Sequence, residues 1–228
     1  MIEGVENYKI PYNSPMPFTT LFFDLDDTLY PSASGLWNAI RDRMSLYIIE
    51  RLHIPADQVP ELRRHYFETY GTTLRGLQIH HQVDADEYLA YVHDLPLEKY
   101  IQPNPQLREL ISSLPQRCWI FTNADDGHAH RVLDQLGLDG CFVGIIDIKA
   151  TQFICKPDID AYRKALSIAG CVDARNCAIV EDSPRNLVPA RSLGFYTILL
   201  GDGGLDPAAD LCVTGLLDLK IALPDLWE

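Results

Sequence analysis

The stretch Leu21-Phe22-Phe23-Asp24-Leu25-Asp26-Asp27-Thr28 decides the fold class of this chain. With Thr19 and Thr20 ahead of it, residues 19–23 are a short run of β-branched, aromatic and aliphatic residues, which reads as a buried strand. The run then breaks into three aspartates within four positions. A polar group at the carboxyl end of a strand stands where open α/β sheets place their ligands. Taken alone, the stretch also fits an acidic turn closed by Thr28. Carboxylates that close repel one another, however, unless a cation stands among them.

Two other stretches repeat the pattern. Ile120-Phe121-Thr122-Asn123 and Ile179-Val180-Glu181-Asp182-Ser183 each pass from an apolar run to polar groups. A fourth, Cys155-Lys156-Pro157-Asp158, puts a lysine just before a proline that suits a first helical turn. The joint inventory is carboxylates, a hydroxyl, an amide and one cation. That is what a site needs to hold Mg²⁺ and a phosphate and to supply a nucleophile.

Between the first and second of these stretches, residues 35–100 show no strand pattern. Helical patterns run over 36–52, 58–70 and 85–93, the last opened by Asp84 with Glu87 three residues on, in the manner of a capping box. Beyond this block the elements alternate: helix 105–114, strand 117–121, helix 127–136, strand 141–146, helix 157–169, strand 177–180, helix 184–193 and strand 195–200. Gly137, Gly170 and Gly194 suit helix ends. Alternation with nearly continuous apolar strands predicts an α/β fold built on a doubly wound parallel sheet. The helical block divides the chain into a core of residues 1–34 and 101–228 and an insert of residues 35–100. Because the insert leaves the sheet at the active edge, it is expected to hang over the site, exclude water and select substrates.

Composition narrows the function classes. The 228 residues carry 19 basic and 32 acidic side chains, a net charge of −13. Such a surface repels phosphate backbones and excludes non-specific nucleic-acid binding. The six cysteines include no Cys-x-x-Cys pair and mostly sit in or beside apolar runs, as expected of buried thiols in a reducing cytosol. No apolar run approaches a membrane span. Residues 1–20 hold Glu3, Glu6 and three prolines and read as an extended lead-in to the first strand, not as a signal peptide. Residues 201–204, with Asp202, read as a loop near the sheet edge.

Asp24 is the candidate nucleophile, since a carboxylate at a strand end can attack phosphorus and split hydrolysis into two easier steps. Asp26, two residues on, places a second carboxylate near one substrate oxygen, so that one serves as nucleophile and the other as general acid. Glu181 and Asp182 are candidate metal ligands, and capping of the following helix falls best to Ser183. Thr122 and Asn123 are candidates for receiving phosphate oxygens, and Lys156 for facing the same anion beside a helix N-terminus. His128 and His130 point to different faces of a helix and make poor joint metal ligands. His80-His81 reads as surface or core. Within the insert, residues 70–77 are the candidate specificity loop. Gly71 and Gly76 permit a tight turn there, Arg75 offers planar forked donors, and Tyr70 and His80 flank it.

Asp24-Leu25-Asp26-Asp27-Thr28-Leu29-Tyr30, Phe121-Thr122-Asn123, Cys155-Lys156-Pro157-Asp158 and Val180-Glu181-Asp182-Ser183 resemble, in order and spacing, the four motifs of the haloacid dehalogenase-like hydrolases. Tyr70-Gly71-Thr72-Thr73-Leu74-Arg75-Gly76-Leu77, Asp94-Leu95-Pro96-Leu97, Phe153-Ile154-Cys155-Lys156-Pro157 and Asp218-Leu219 with Leu223-Pro224-Asp225-Leu226 resemble its pyrimidine 5′-nucleotidase branch. The resemblance implies a Rossmann-like core with a helical cap. It implies Asp24 as nucleophile and Asp26 as acid/base, with the Asp26 backbone carbonyl turned to Mg²⁺. Asp24 and Asp182, with Glu181 directly or through water, complete the implied metal site, and Thr122 and Lys156 hold the phosphoryl group. The chain departs from many members at Asp27, where they have glycine. The implied activity is Mg²⁺-dependent hydrolysis of small phosphorylated metabolites through an aspartyl phosphate, on pyrimidine or nicotinamide mononucleotides. A sugar-phosphate phosphatase or a phosphomutase would use the same residues. A catalytically silent nucleotide-binding module is the alternative of another class, disfavoured because Asp24 and Lys156 are both present. The expected protein is a cytoplasmic monomer or homodimer with no nucleic-acid or membrane partner.

Overall fold

The structure is a computed structural model and describes residues 18–201 and 204–227. The expected lead-in ahead of residue 18, and Asp202 of the expected loop, lie outside the described residues. Six strands, β1 (Thr20–Phe23), β2 (Arg117–Phe121), β3 (Gly144–Ile146), β4 (Cys177–Glu181), β5 (Tyr196–Leu200) and β6 (Leu211–Val213), form one sheet in the order β3-β2-β1-β4-β5-β6. Every pairing is parallel. The chain winds outward to one side of β1 and then to the other, so the sheet has its topological switch point beside β1, where such sheets open a ligand crevice.

Within the connection from β1 to β2, four helices make up the insert: α1 (Leu36–Leu52), α2 (Val59–Tyr70), α3 (Thr73–His81) and α4 (Ala85–His93). They share a buried cluster that includes Tyr47, Ile48, Tyr66, Leu77, Tyr88 and Val92, joined from the core by Ile148 and Cys155. Five helices follow: α5 (Pro105–Ser112), α6 (Asp126–Leu136), α7 (Ile159–Ala169), α8 (Pro184–Leu193) and the short α9 (Leu219–Ala222). All four residues of β1 are buried, and their side chains alternate between two cores. Leu21 and Phe23 pack with residues of α5 and α6, whereas Phe22 packs with residues of α7 and α8. A strand covered on both faces has to be apolar at every position, and this one is. No helix among the described residues is long and apolar enough to cross a membrane.

The structure revises several sequence expectations. Residues 70–77 are not a loop. After a turn at Gly71, Thr72 caps α3, its Oγ1 accepting the Arg75 N–H at 3.1 Å. Gly76 lies inside that helix because a Cβ there would stand 2.2 Å from Cγ of Tyr66. Its glycine serves close packing of α2 on α3, not a turn. Strand 141–146 shortens to Gly144–Ile146, and Pro157 precedes α7, whose N-cap is Asp158.

Core cations tie the insert down. Arg185 donates to the carbonyls of Phe67 at 2.9 Å and Glu68 at 3.2 Å, near the end of α2. Arg131 donates to the carbonyls of His93 at 2.7 Å and Leu95 at 2.6 Å, at the end of α4. Cations are favoured at helix C-termini, where carbonyls are left without intrahelical donors.

Candidate active site

Three neighbouring strands deliver the polar residues to one edge. Asp24 follows β1 and still donates its N–H to the Val180 carbonyl of β4 at 2.9 Å. Thr122 follows β2, Glu181 ends β4 and Asp182 comes next. Lys156 reaches them from the loop before α7. Its Nζ donates to Asp24 Oδ1 at 2.7 Å, to Glu181 Oε1 at 2.5 Å and to the Phe121 carbonyl at 2.9 Å. All three ammonium donors are thus used, and the side chain is 1% exposed.

Asn123 clasps the backbone of that lysine. Its Oδ1 accepts the Lys156 N–H at 2.8 Å and its Nδ2 donates to the Lys156 carbonyl at 3.0 Å. The Asn123 side chain thus positions Lys156. Glu181 is also engaged on both oxygens. Oε1 accepts from Lys156 and from Asn186 Nδ2 at 2.8 Å, and Oε2 accepts from the Ser183 N–H at 3.2 Å.

Ligand atoms of Asp24, Glu181 and Asp182 lie within 4.8 Å of one another. Burial, with Glu181 and Asp26 nearby, pushes the Asp24 carboxyl up to about 7 against the pull of Lys156. Burial and Asp24 push Asp182 up to about 7, and burial with Asp26 and Asp24 pushes Asp27 up to about 6. Asp27 borders the same site, and its buried Oδ1 has no donor among the described residues. Oxygen donors alone, more negative charge than one lysine offsets and an orphaned carboxylate oxygen together fit a hard divalent cation. Asp27 also has a φ of 57°. That left-handed conformation explains why glycine suits this position, and aspartate is among the few other residues that tolerate it.

Asp26 is turned away from the acidic cluster. Its Oδ1 accepts from Tyr30 Oη at 2.5 Å and lies 2.9 Å from His128 Nε2. Burial alone would raise its pKa, but His128 and the two hydrogen bonds outweigh burial and lower it. By sequence His128 is half of a poor metal pair with His130. It is a buried partner of Asp26, 102 positions away in sequence. Neither His128 nor Asn186 carries a local sequence signal for these contacts.

The cavity over these groups holds about 620 Å³ and is roofed by the insert through residues such as Trp37, Met44, Phe67 and Leu74. Gly71, Thr72 and Thr73 reach it, whereas Arg75, Tyr70 and His80 are not among its lining residues. Arg75 is exposed on α3, and Tyr70 Oη pairs with His80 Nε2 at 2.6 Å.

A doubly wound sheet with an aspartate pair, a buried lysine and an acidic cluster at its switch point defines a hydrolase class. Residues 18–194 match the family model described as haloacid dehalogenase-like hydrolase, and the chain belongs to that family. Among curated proteins it is similar to phosphate metabolism protein 8 of Saccharomyces cerevisiae, with 29% identity over 209 residues. That alignment covers 86% of this chain and 65% of the yeast protein, so the chain spans just under two thirds of its relative. Among solved structures it is similar to the HAD-hydrolase YfnB of Bacillus subtilis, with a TM-score of 0.61, 19% identity and coverage of 90% of this chain and 98% of that one. It is also similar to the L-2-haloacid dehalogenase of Xanthobacter autotrophicus, with a TM-score of 0.58, 16% identity and coverage of 91% and 98%. At those identities the structures speak for the shared fold.

Proposed function

We propose that this chain is a Mg²⁺-dependent phosphomonoesterase that frees phosphate from small phosphorylated metabolites through an aspartyl phosphate, acting as a 5′-nucleotidase on pyrimidine or nicotinamide mononucleotides. The observation that carries this proposal is the contrast between two carboxylates at one cavity. Asp24 is held by Lys156 among other acids, and Asp26 is held by His128 and Tyr30. Carboxylates in such different surroundings can divide the nucleophile and acid/base roles.

In this account Asp24 attacks phosphorus as the bond to the leaving oxygen breaks, and Asp26 delivers a proton to that oxygen. Asp26 then takes a proton from water as the water oxygen attacks phosphorus, freeing Asp24 and inorganic phosphate. Before substrate enters, Asp26 is ionised. The approach of a phosphate dianion opposes that charge and favours the protonated acid. Lys156 keeps Asp24 oriented, Thr122 offers its hydroxyl to the phosphoryl oxygens, and the insert serves as a cap that excludes water. Mg²⁺, held by Asp24, Asp182 and the Asp26 backbone carbonyl with Glu181 behind them, would supply positive charge against the phosphoryl oxygens.

A dehalogenase, the activity named for the Xanthobacter structure, has no leaving alcohol to protonate, which gives Asp26 and its two donors no task. The name of the yeast relative agrees with phosphate chemistry. The six free thiols suit the cytoplasm, where we place the protein. The test is a phosphate-release screen over nucleotides, sugar phosphates and aryl phosphates, with Mg²⁺ and with chelator. Release from nucleotides that stops with chelator is expected. Isomerised product without release would make it a mutase, and no release from any ester would end the proposal.

A further inference from the structure

Two helices of the insert each turn one face to the cavity. Trp37, Arg41 and Met44 stand at i, i+4 and i+7 on α1 and line it. Pro60, Arg63, Arg64 and Phe67 stand at i, i+3, i+4 and i+7 on α2 and line it too. In each stripe the polar residues are arginines. Residues 35–100 carry ten carboxylates and seven lysines and arginines. None of those carboxylates lines the cavity, whereas three of the cations do. The floor has the opposite character, with Asp24, Asp26, Asp27 and Asp182 set against Lys156.

Arg41 is both exposed and a lining residue, so a ligand in the cavity can touch it. Its guanidinium has no hydrogen bond or ion pair among the described residues. Arg43, two positions on and outside the lining, instead donates to the Tyr91 carbonyl at 2.7 Å. Ser45 gathers Arg63 to the same turn of α1. Its Oγ accepts from Arg63 Nη1 at 2.8 Å and donates to the Arg41 carbonyl at 3.1 Å. Burial and the like charge of Arg41 hold the Arg63 guanidinium below its ordinary pKa. Arg64 is committed to Glu61 and Glu68 on the helix surface. Like charges gathered on one wall without a counter-ion oppose each other until an anion comes between them.

We propose that Arg41, with Arg63 behind it, receives a second anionic group on the leaving group, a carboxylate or a second phosphate, so that phosphomonoesters bearing one are preferred to their counterparts without it. This rests on the phosphomonoesterase reading, which sets the transferring phosphate at the acidic floor, and it narrows the substrates by charge. A guanidinium matches either anion with paired N–H donors. Trp37 and Phe67, on the same two stripes, give an apolar surface to the body that carries the anion. Arg75, Tyr70 and His80 do not line the cavity and take no part.

Two pairs of esters test this with Mg²⁺ present. Nicotinate and nicotinamide mononucleotides differ in a ring carboxylate against its amide, and uridine 3′,5′-bisphosphate and uridine 5′-monophosphate in a second phosphate. Chromatography of the products gives kcat/KM for loss of the 5′-phosphate from each. The anionic member of at least one pair should be preferred by roughly tenfold, as one charged hydrogen bond implies, and the pair that shows it tells carboxylate from phosphate. Arg41→Gln should bring that ratio to within about twofold, and Arg41→Glu should reverse it. Raising salt should shrink it, as for any exposed charge. No preference in the unaltered protein, or one that Arg41→Gln leaves in place, would overturn the proposal. So would an equal loss on both members of a pair, which would put Arg41 on the transferring phosphate. Absence of release from every ester would count against the phosphomonoesterase reading, and calorimetry of the same pairs on that non-hydrolysing protein would then decide the charge preference by itself.

Discussion

The ring of His93, carried by the insert, stacks on the ring of His128, carried by the core, with centroids 4.0 Å apart and planes inclined by 17°. Each ring also holds a carboxylate, His93 that of Asp125 at 2.6 Å and His128 that of Asp26 at 2.9 Å. The candidate acid/base is therefore fixed by a residue whose other face is covered by the insert.

Replacing His128 with alanine should lower kcat by about 10–100-fold, part of the ~10²–10⁴ that a positioned acid/base contributes. KM should change little. The loss should be large for alkyl leaving groups and small for nitrophenyl phosphate, whose departure needs no proton. Steady-state kinetics on both esters check this, and equal losses would give His128 a merely structural part.

Lys156→Met should be strongly destabilising. It leaves Glu181, fully buried, and Asp24, nearly so, without their cation. Breaking a buried pair in this way costs about 3–5 kcal/mol. Urea unfolding should show the full loss near pH 7.5 and a smaller one near pH 5.5, where the Asp24 carboxyl, pushed up by burial to about 7, takes up a proton.

Without metal, stability should fall as pH rises from about 5 to 8. Asp24 and Asp182 titrate at about 7 and Asp27 at about 6 in the folded protein, all above an ordinary aspartate. The folded state then binds more protons than the unfolded state across that window, so raising the pH favours unfolding. Asp26, whose pKa is lowered, acts the other way only at more acid pH. Mg²⁺ should offset the loss, raising Tm by roughly 5–10 °C at a hundredfold excess over Kd, and by less at pH 5.5. Thermal scans with Mg²⁺ and with chelator decide it.

Gly71→Ala should cut kcat as well as stability. Gly71 has a φ of 90°, and a Cβ there would meet Cys155 Sγ at 2.7 Å and the Lys156 carbonyl at 3.1 Å. Gly35→Ala carries a similar φ of 79° into open space and should cost only backbone strain, about 1–2 kcal/mol. Comparing kcat for the two variants separates displacement of Lys156 from strain alone.

The strand ends were legible in the sequence because a buried parallel strand leaves an unbroken apolar run, and Asp24, Thr122 and Glu181 stand where such runs stop. Lys156 was legible only as a member of the set, since its three partners come from three separate strand ends. Strand β6, at the sheet edge and three residues long, left too short a run to read. Residues 70–77 misled because a glycine required by packing against Tyr66 has the same letter as one required by a turn. His128 and Asn186 could not be placed because their contacts depend on which helix faces turn inward, and that is settled by tertiary packing.

The central claim is that Asp24 carries the phosphoryl group, and the most direct measurement is mass spectrometry of enzyme quenched in acid during turnover of a nucleoside monophosphate with Mg²⁺. One phosphoryl group should appear on the peptide that contains Asp24, disappear as substrate is exhausted, and be absent in Asp24→Asn. Turnover with no phosphorylated peptide at any quench time, or with the group on a different residue, would contradict the account.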